Sequence, residues 1–486
     1  MPRHIYINKK IPSYNKIIQV SSDKSLSIRT VLLASQAVGI SKISNLLESE
    51  DVLNALKIIK KLGINYKKKK NFYEIYGFGL NGFNPKNNTT INAGNSGTLG
   101  RLILSLLIKT EKKIKFYNNK CEIIGNGING FKYKENIVLN TGNSGTLARL
   151  ILGLLIHSKK KIKIIGDKSL SKRDFSRVTK PLKLFGAKIT SNKNSLPVIM
   201  QGSSFIRPIN YVEHIGSAQI KTACCLGALN VPGKTVIRAK KSRNHTELLF
   251  KYLNIPIKIK SIKEFDLIEI EGLHQFKAFD YTIPGDISSS SFFIVLTILS
   301  KNSKLMIKNV NINESRTGII KILKMMNCKI YLKNKKTYKG EKKADIQIYN
   351  TQNLNAINCP SNFNSGAIDE FLLIFLVAAK AKGVSYFKDL SELNQKESPR
   401  LIWGAKILNE MGVKTIISKN SIKIFGQPNL SINKKIIIKN FLKDHRVFMT
   451  SVIAALSFGG VWKIHDKDSI KTSFPNFLKI INDLKK

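Results

Sequence analysis

Ser22-Asp23-Lys24-Ser25-Leu26-Ser27 and Gly285-Asp286-Ile287-Ser288-Ser289-Ser290 read as two versions of one junction, each leading from a strand into a Ser-rich helix start. A junction that occurs twice in 486 residues suggests two homologous halves, with crossings near residues 21 and 285. The expected division is a first globular domain over 22–284 and a second built from 1–21 plus 285–486. Around these junctions, short β-branched runs alternate with amphipathic helical patterns. Strands are expected at 16–20, 161–165, 257–260, 267–270, 304–307, 346–349 and 422–425. Helices are expected to stop at glycine, 52–62 before Gly63 and 401–411 before Gly412. This recurring beat is that of an α/β (α+β) protein of repeated units.

A sharper repeat lies inside the first half. Residues 71–118 align without gaps to 119–166, an offset of 48. Ile91-Asn92-Ala93-Gly94-Asn95-Ser96-Gly97-Thr98-Leu99 matches Leu139-Asn140-Thr141-Gly142-Asn143-Ser144-Gly145-Thr146-Leu147, and both copies continue Arg-Leu-Ile-Leu-x-Leu-Leu-Ile. Chance does not produce such a match; one supersecondary unit has been duplicated in tandem.

Composition bounds the remaining readings. There are 81 Lys+Arg against 31 Asp+Glu, a net charge of +50. Charge of that size points to a polyanion surface or to a biased codon usage. The lysines run along the whole chain, with no basic arm, which favours biased usage while leaving a field that attracts small anions. Five cysteines without a C-x-x-C pair fit a reducing compartment and argue against a disulfide framework or a zinc site. The N-terminus lacks an apolar targeting segment, and apolar runs such as 102–108 fall short of a membrane span. The expectation is a cytoplasmic protein.

The chemistry gathers at helix starts. Ser25 and Arg29 are four apart and share a helix face, with Lys24 just before the first turn. Amide N–H groups plus two cations suit a phosphate or carboxylate, although an ordinary capped helix reads the same way. Gly142 to Thr146 opens a helix whose buried stripe is Leu147, Leu150, Ile151, Leu154 and Leu155; its small residues admit a ligand to the backbone, or make a plain Gly-rich turn. Gly166 to Arg173, Ser217 to Lys221 and Ser242 to Glu247 are further polar or basic helix starts, each equally readable as a solvated turn. Asp369-Glu370 sits in an apolar run, where part-burial would raise a carboxyl pKa and suit a proton acceptor; a structural ion pair is the alternative. Ser398 reads as an N-cap and Pro399 as the first helical residue, placing Arg400 in the first turn, where a cation opposes the helix dipole and hints at a bound anion. Asp444 and Arg446 repeat the arrangement. Several cationic helix starts describe a cleft for one or two multiply charged anions.

These motifs, in this order, resemble the 5-enolpyruvylshikimate-3-phosphate (EPSP) synthase family along essentially the whole chain. The resemblance rests on Asp23-Lys24-Ser25-x-Ser27-x-Arg29, Gly142-Asn143-x-Gly145-Thr146, Ser217-Ala218-Gln219-x-Lys221, Ser242-Arg243, Ile368-Asp369-Glu370, Lys396-Glu397-Ser398, Asp444-His445-Arg446 and Ser473-Phe474-Pro475. The wording of Ser217-Ala218-Gln219 and Asp369-Glu370 is closer to the glyphosate-tolerant branch. The resemblance implies two similar domains, each of three βαβ-type units around a pseudo-threefold axis. It implies transfer of the enolpyruvyl group of phosphoenolpyruvate to the 5-hydroxyl of shikimate 3-phosphate, in chorismate and aromatic amino-acid biosynthesis. It implies no metal or organic cofactor, and a monomer acting on small anionic substrates, with no specific nucleic acid and no membrane. Lys24, Ser25, Arg29, Ser217, Ala218, Gln219, Ser242 and Arg243, with Asp369 and Lys396, would hold shikimate 3-phosphate. Arg173, Arg400 and Arg446 would clamp phosphoenolpyruvate, with Asn143 and Gly145 lining its pocket and Lys24 and Gln219 beside it. Asp369 would take the 5-hydroxyl proton, helped by Lys396, while Glu397 and Lys24 would move protons at the methylene carbon. Domain closure would exclude water and strengthen the cationic clamp.

Several positions depart from the family pattern. Ser21-Ser22 replaces Pro-Gly, Asp174 follows Arg173 where Pro is usual, Asn244 replaces an Asp, Asn394 an Arg and Pro399 an Asp, and Lys471 is one position out of register for the C-terminal Lys. Removing 48 of the 486 residues leaves 438, an ordinary length for the family. Only one GNSGT loop can serve the site, and copy two is favoured because Arg173 follows it directly. Two rival readings remain: the related enzyme that transfers enolpyruvyl to UDP-N-acetylglucosamine, whose loop Cys has no clear counterpart, and a catalytically dead basic polyanion-binding protein, against which Asp369 and Glu397 speak.

Overall fold

The structure, a computed structural model, describes residues 4–61, 64–78, 89–91, 111–117, 120–126, 136–140, 161–165, 171, 175–184, 186, 188–201, 207–214, 216–228, 231–272, 274, 276–396 and 398–486. The chain forms two compact units, Met1–Asp23 with Pro284–Lys486, and Lys24–Ile283.

In the unit made of the two chain ends, one sheet shows the plan that the others repeat. Asn15–Ile18 pairs in parallel with Lys304–Asn311. That strand pairs antiparallel with Glu341–Tyr349, which closes a hairpin with Ile330–Tyr338. The spatial order is therefore first, second, fourth, third. A second sheet runs Val384–Phe387, Ile422–Phe425, Thr415–Ile417, and the parallel bridges Asn355↔Lys382 and Asn358↔Tyr386 stand where the first strand belongs. In a third, Ile432–Ile438 is parallel to Gly459–His465, which is antiparallel to His4–Ile7.

The helices between the first and second strands are Ile287–Leu299, Phe371–Lys380 and His445–Phe458, and all three contact one another. Every residue of Ile287–Leu299 is buried. A helix apolar on all sides belongs at the centre of a core, which explains why this sequence shows no amphipathic stripe. The outer helices Gly318–Met325, Arg400–Glu410 and Phe477–Lys485 keep a polar face. Gly412, at φ +84°, ends the second of these in the left-handed region that glycine adopts without Cβ strain. Three βαβ-type units around three packed helices make up this unit, as the resemblance implied.

The other unit follows the same plan. Asp280–Thr282, Val38–Ser44, Phe72–Phe78 and Tyr66–Lys68 form one sheet in that order, and Asn210–Glu213, Lys234–Lys240, Phe265–Glu271 and Ile257–Ile262 another. Ile137–Asn140, Ile162–Ile165, Ser195–Gln201 and Lys188–Asn192 form the third. In all three the first pair is parallel and the rest antiparallel.

A fourth sheet accounts for the duplicated sequence. Lys120–Asn126 lies between Thr89–Ile91 and Glu111–Tyr117 and is antiparallel to both. Phe72–Phe78, the copy-one counterpart of Lys120–Asn126, completes the first sheet, while the copy-two strands Ile137–Asn140 and Ile162–Ile165 form the parallel pair of the third. The surplus is therefore residues 79–126, one repeat length, cut across the boundary between the copies.

Among the described residues no helix is long and apolar enough to cross a membrane, and no group of three or more His, Cys, Asp or Glu could hold a metal ion.

Candidate functional site

In the unit formed by the chain ends, the N-termini of the three central helices each carry an acid. Asp286 and Asp444 are true caps, accepting from the backbone N–H of Ser288 and of Arg446, each at 2.9 Å. Glu370 occupies the corresponding position before Phe371–Lys380. Arginines stand against these acids. Arg400 directs Nε to Asp444 Oδ2 at 2.9 Å and Nη2 to Oδ1 at 3.3 Å, a fork onto both carboxylate oxygens. Its Nη1 reaches Asp369 Oδ1 at 3.2 Å, and Lys396 Nζ lies 3.4 Å from the same oxygen. Arg446 donates Nη1 to the Asp369 carbonyl at 2.9 Å and stands 3.7 Å from Glu370 Oε1.

The sequence expectations for this part hold at Asp444 and Arg446 and need correction at Ser398 and Pro399. Helix Arg400–Glu410 begins one residue later than expected, with Pro399 in the cap position and no side-chain cap. Ser398 does not cap; its hydroxyl donates to Asp444 Oδ2 at 2.9 Å. Arg400, in the first turn, pairs with two acids of the chain itself, Asp444 and Asp369. Asp369 is part-buried, as expected, and makes the ion pairs that were the alternative reading. It lies in the turn between Asn364–Ala367 and Phe371–Lys380, 13% exposed, with cations against one oxygen. The apolar residues that follow it turn inward along the helix and leave the carboxylate beside Lys396 and Arg400. Burial by itself would raise the Asp444 carboxyl, but Arg400, His445 and the Arg446 backbone N–H outweigh it and hold that group below its ordinary value.

In unit Lys24–Ile283, Lys24 is the first residue of helix Lys24–Gln36, inside it and not before it. Arg29 is buried, donating Nη1 to the Ser25 carbonyl at 3.1 Å and Nε to Thr246 Oγ1 at 3.0 Å. The helix face shared by Ser25 and Arg29 is thereby tied to the start of helix His245–Tyr252. Ser217 caps helix Ala218–Ala228, its hydroxyl accepting from the Ile220 N–H at 3.4 Å. The turn before it is held by Glu213, whose Oε2 accepts from the Gly216 N–H at 2.7 Å. Ser242 and Arg243 are half-buried ahead of His245–Tyr252. Lys221 and Glu247 join the two helices through a fully buried ion pair of 2.6 Å. Asn143, Gly145, Arg173 and Glu397, both GNSGT loops and the side chain of Gln219 lie outside the described residues.

Sequence reasoning missed Arg316, Ser288, Glu213 and the Lys221–Glu247 pair. Arg316 was findable. It precedes helix Gly318–Met325, as Arg400 opens Arg400–Glu410, so the cation-at-a-helix-start rule applies to it equally. Ser288 and the Lys221–Glu247 pair carry no local signal, because each is defined by a partner distant in sequence, whereas Glu213 acts on Gly216, three residues on.

A model of the EPSP synthase (3-phosphoshikimate 1-carboxyvinyltransferase) family matches residues 9–116 and again 111–481, and the two matches meet inside the tandem repeat. The chain belongs to the EPSP synthase family. Among its relatives, the 3-phosphoshikimate 1-carboxyvinyltransferase of Ruthia magnifica subsp. Calyptogena magnifica is 34% identical over 484 residues, covering 99% of this chain and 97% of the relative. That of Bacillus pumilus is 31% identical over 483 residues, covering 99% of each. Among solved structures, EPSP synthase from Acinetobacter baumannii superposes with a TM-score of 0.71 at 28% identity, covering 99% of this chain and 97% of that one. An enolpyruvyl transferase from Streptomyces tendae shares the fold at 13% identity, with a TM-score of 0.64 and the same coverage.

Proposed function

We infer that the chain transfers the enolpyruvyl group of phosphoenolpyruvate to the 5-hydroxyl of shikimate 3-phosphate, releasing phosphate. The observation that carries this reading is Asp369, with its carboxylate against Lys396 and Arg400 and its carbonyl against Arg446. A base so placed can receive the hydroxyl proton while the neighbouring guanidiniums meet the carboxylate and phosphate of phosphoenolpyruvate. In the first step the 5-oxygen bonds to C2, the hydroxyl proton passes to Asp369 with Lys396 assisting, and C3 gains a proton. In the second, C3 loses a proton as the C2–phosphate bond breaks. Glu397 and Lys24 serve the proton movements at C3. Arg173, Arg400 and Arg446 hold phosphoenolpyruvate, with Asn143, Gly145, Gln219 and Lys24. Lys24, Ser25, Arg29, Ser217, Ala218, Gln219, Ser242 and Arg243 hold shikimate 3-phosphate, with Asp369 and Lys396.

We also assign the working loop to copy two, Gly142 to Thr146. Support comes from its flanking strands, which pair in parallel as do Asn210–Glu213 and Lys234–Lys240, whereas the copy-one strands both pair with Lys120–Asn126. The domain division at 22–284 and at 1–21 plus 285–486, a cytoplasmic monomeric state and the glyphosate-tolerant branch complete the reading; the compact units Lys24–Ile283 and Met1–Asp23 with Pro284–Lys486 support the division.

Phosphate release is measured with phosphoenolpyruvate and either shikimate 3-phosphate or UDP-N-acetylglucosamine. Release with the first acceptor, abolished in Asp369→Asn, is expected. Release only with the UDP-sugar points to the related cell-wall enzyme, and no turnover alongside salt-dependent DNA retention points to a polyanion binder. Asn143→Ala abolishes turnover and Asn95→Ala does not; the reverse pattern moves the site to copy one.

A further inference from the structure

Arg316 touches none of the residues assigned above to phosphoenolpyruvate, yet it organises one end of the unit that holds Arg400 and Arg446. Its side chain is 4% exposed. Nη1 pairs with Asp23 Oδ2, and Nη2 with Asp286 Oδ1 at 2.9 Å and Ser288 Oγ at 2.7 Å. These two acids mark the points where the chain leaves this unit and returns: Asp23 is its last residue on the way out and Pro284 its first on the way back. The two segments are already stitched by backbone bonds, Asp23 N–H to Pro284 O at 2.8 Å and Asp286 N–H to Ser21 O at 3.0 Å, with Ser22 and Gly285 bridged. Arg316 then closes across both carboxylates.

The contacts continue in the other direction. Ser288 accepts from Arg316 and donates to Glu370 Oε1 at 2.5 Å. Glu370 faces Arg446, and Arg446 holds the Asp369 carbonyl. One buried guanidinium thus ends two lines, one to Asp23, the residue before Lys24, the other through Ser288 and Glu370 to Arg446. Buried polar chains of this kind fix a single geometry only when every member is satisfied.

We propose that Arg316 is a positioning residue that sets Lys24 through Asp23 and Arg446 through Ser288 and Glu370, so that both substrate-binding groups depend on one buried cation. This rests on the reading of the preceding section. The geometry predicts a split between two variants. Ser288→Ala leaves Arg316 on its two acids and cuts only the Glu370 line. It should raise KM for phosphoenolpyruvate about tenfold, the loss of one charge-assisted hydrogen bond, with a smaller rise for shikimate 3-phosphate, which meets this line only at Asp369 and is otherwise assigned to Lys24, Ser25 and Arg29. Arg316→Lys keeps the charge without the fork and should raise both KM values. Arg316→Met strands buried acids and is expected to fold poorly, so it is not the test. Amide exchange on the same proteins reads the inference without turnover: Arg316→Lys should speed exchange at residues 22–26 and at 368–372, and Ser288→Ala only at 368–372. If the wild type releases no phosphate with shikimate 3-phosphate, the functional reading fails while the exchange pattern still decides this one. Unchanged KM values and unchanged exchange at both segments in Arg316→Lys, or equal effects on both substrates in Ser288→Ala, would overturn it.

Discussion

Lys221 and Glu247 form an ion pair that the fold has sealed from water, with side-chain exposures of 0% and 2% and an Nζ–Oε1 distance of 2.6 Å. It joins helix Ala218–Ala228 to helix His245–Tyr252, the two helices that begin beside Ser217 and Arg243. Replacing Lys221 by Met preserves much of the apolar stem and strands the Glu247 carboxylate in a dry interior. Breaking one partner of such a pair costs about 3–5 kcal/mol, because the uncompensated charge, and not the lost attraction, sets the penalty. For a unit of this size each kcal/mol lowers Tm by about 2–4 °C, so the expected fall is about 10 °C. Lys221→Met/Glu247→Leu removes both charges and should recover stability to within about 1 kcal/mol of the wild type or above it. Urea unfolding followed by far-ultraviolet circular dichroism measures all three chains. The tryptophans, Trp403 and Trp462, belong to the other unit, so their fluorescence monitors that unit separately. A loss below about 1 kcal/mol in Lys221→Met, or a double variant no better than the single one, would refute the argument that an unpaired buried charge sets the cost.

Asp444 supplies a pH dependence. Its carboxyl titrates below the ordinary value in the folded chain, so its contribution is fully present above the unfolded value, about pH 4, and is lost as pH falls through the folded value. Asp444→Asn should therefore be less stable at neutral pH, with the gap to wild type narrowing below about pH 4 in acid titrations followed by circular dichroism. Burial pushes the Cys224 thiol up to about 12, with Glu213 adding to it, and Cys359 up to about 11; Cys225 and Cys328 are also pushed up by burial. Cys225, Cys328 and Cys359 are buried and should react with a thiol reagent at pH 8 only as fast as the protein unfolds, and fast labelling of any of the three in native buffer contradicts the burial. A Cβ on Gly318 would lie 2.7 Å from Gly366 C and 2.8 Å from Phe363 O, both backbone atoms that cannot swing aside. Gly318→Ala should cost about 1–3 kcal/mol in the same urea assay, and a neutral result would mean that the Phe363–Ala367 segment yields readily.

Much of the architecture was legible in the chain because it is encoded locally. The β-branched run 422–425 is a strand with those bounds, Gly412 stops a helix, and Asp444 caps one, since each depends on dihedral preference or on a partner two residues away. The duplication was visible as self-similarity, and the cationic helix starts could be read from spacing alone. Which piece of the duplication is surplus was not legible. Identical strand patterns in the two copies compete for the same neighbours, and the pairing of Phe72–Phe78 and of Ile137–Asn140 with strands outside the repeat, not their own sequence, left 79–126 over. The charges behaved likewise. By sequence Ser398 is as good a cap as Asp444, and Asp369 sits in an apolar run; the packing of helix Arg400–Glu410 beside His445–Phe458 turned Ser398 to Asp444 and set Arg400 between two acids. The sequence by itself determined which segments form helices and strands and that cations gather at several helix starts. Only the tertiary structure decided which acid faces which arginine, because Arg316 and Asp23 stand 293 positions apart, and an energy that depends on separation in space leaves no trace in separation along the chain.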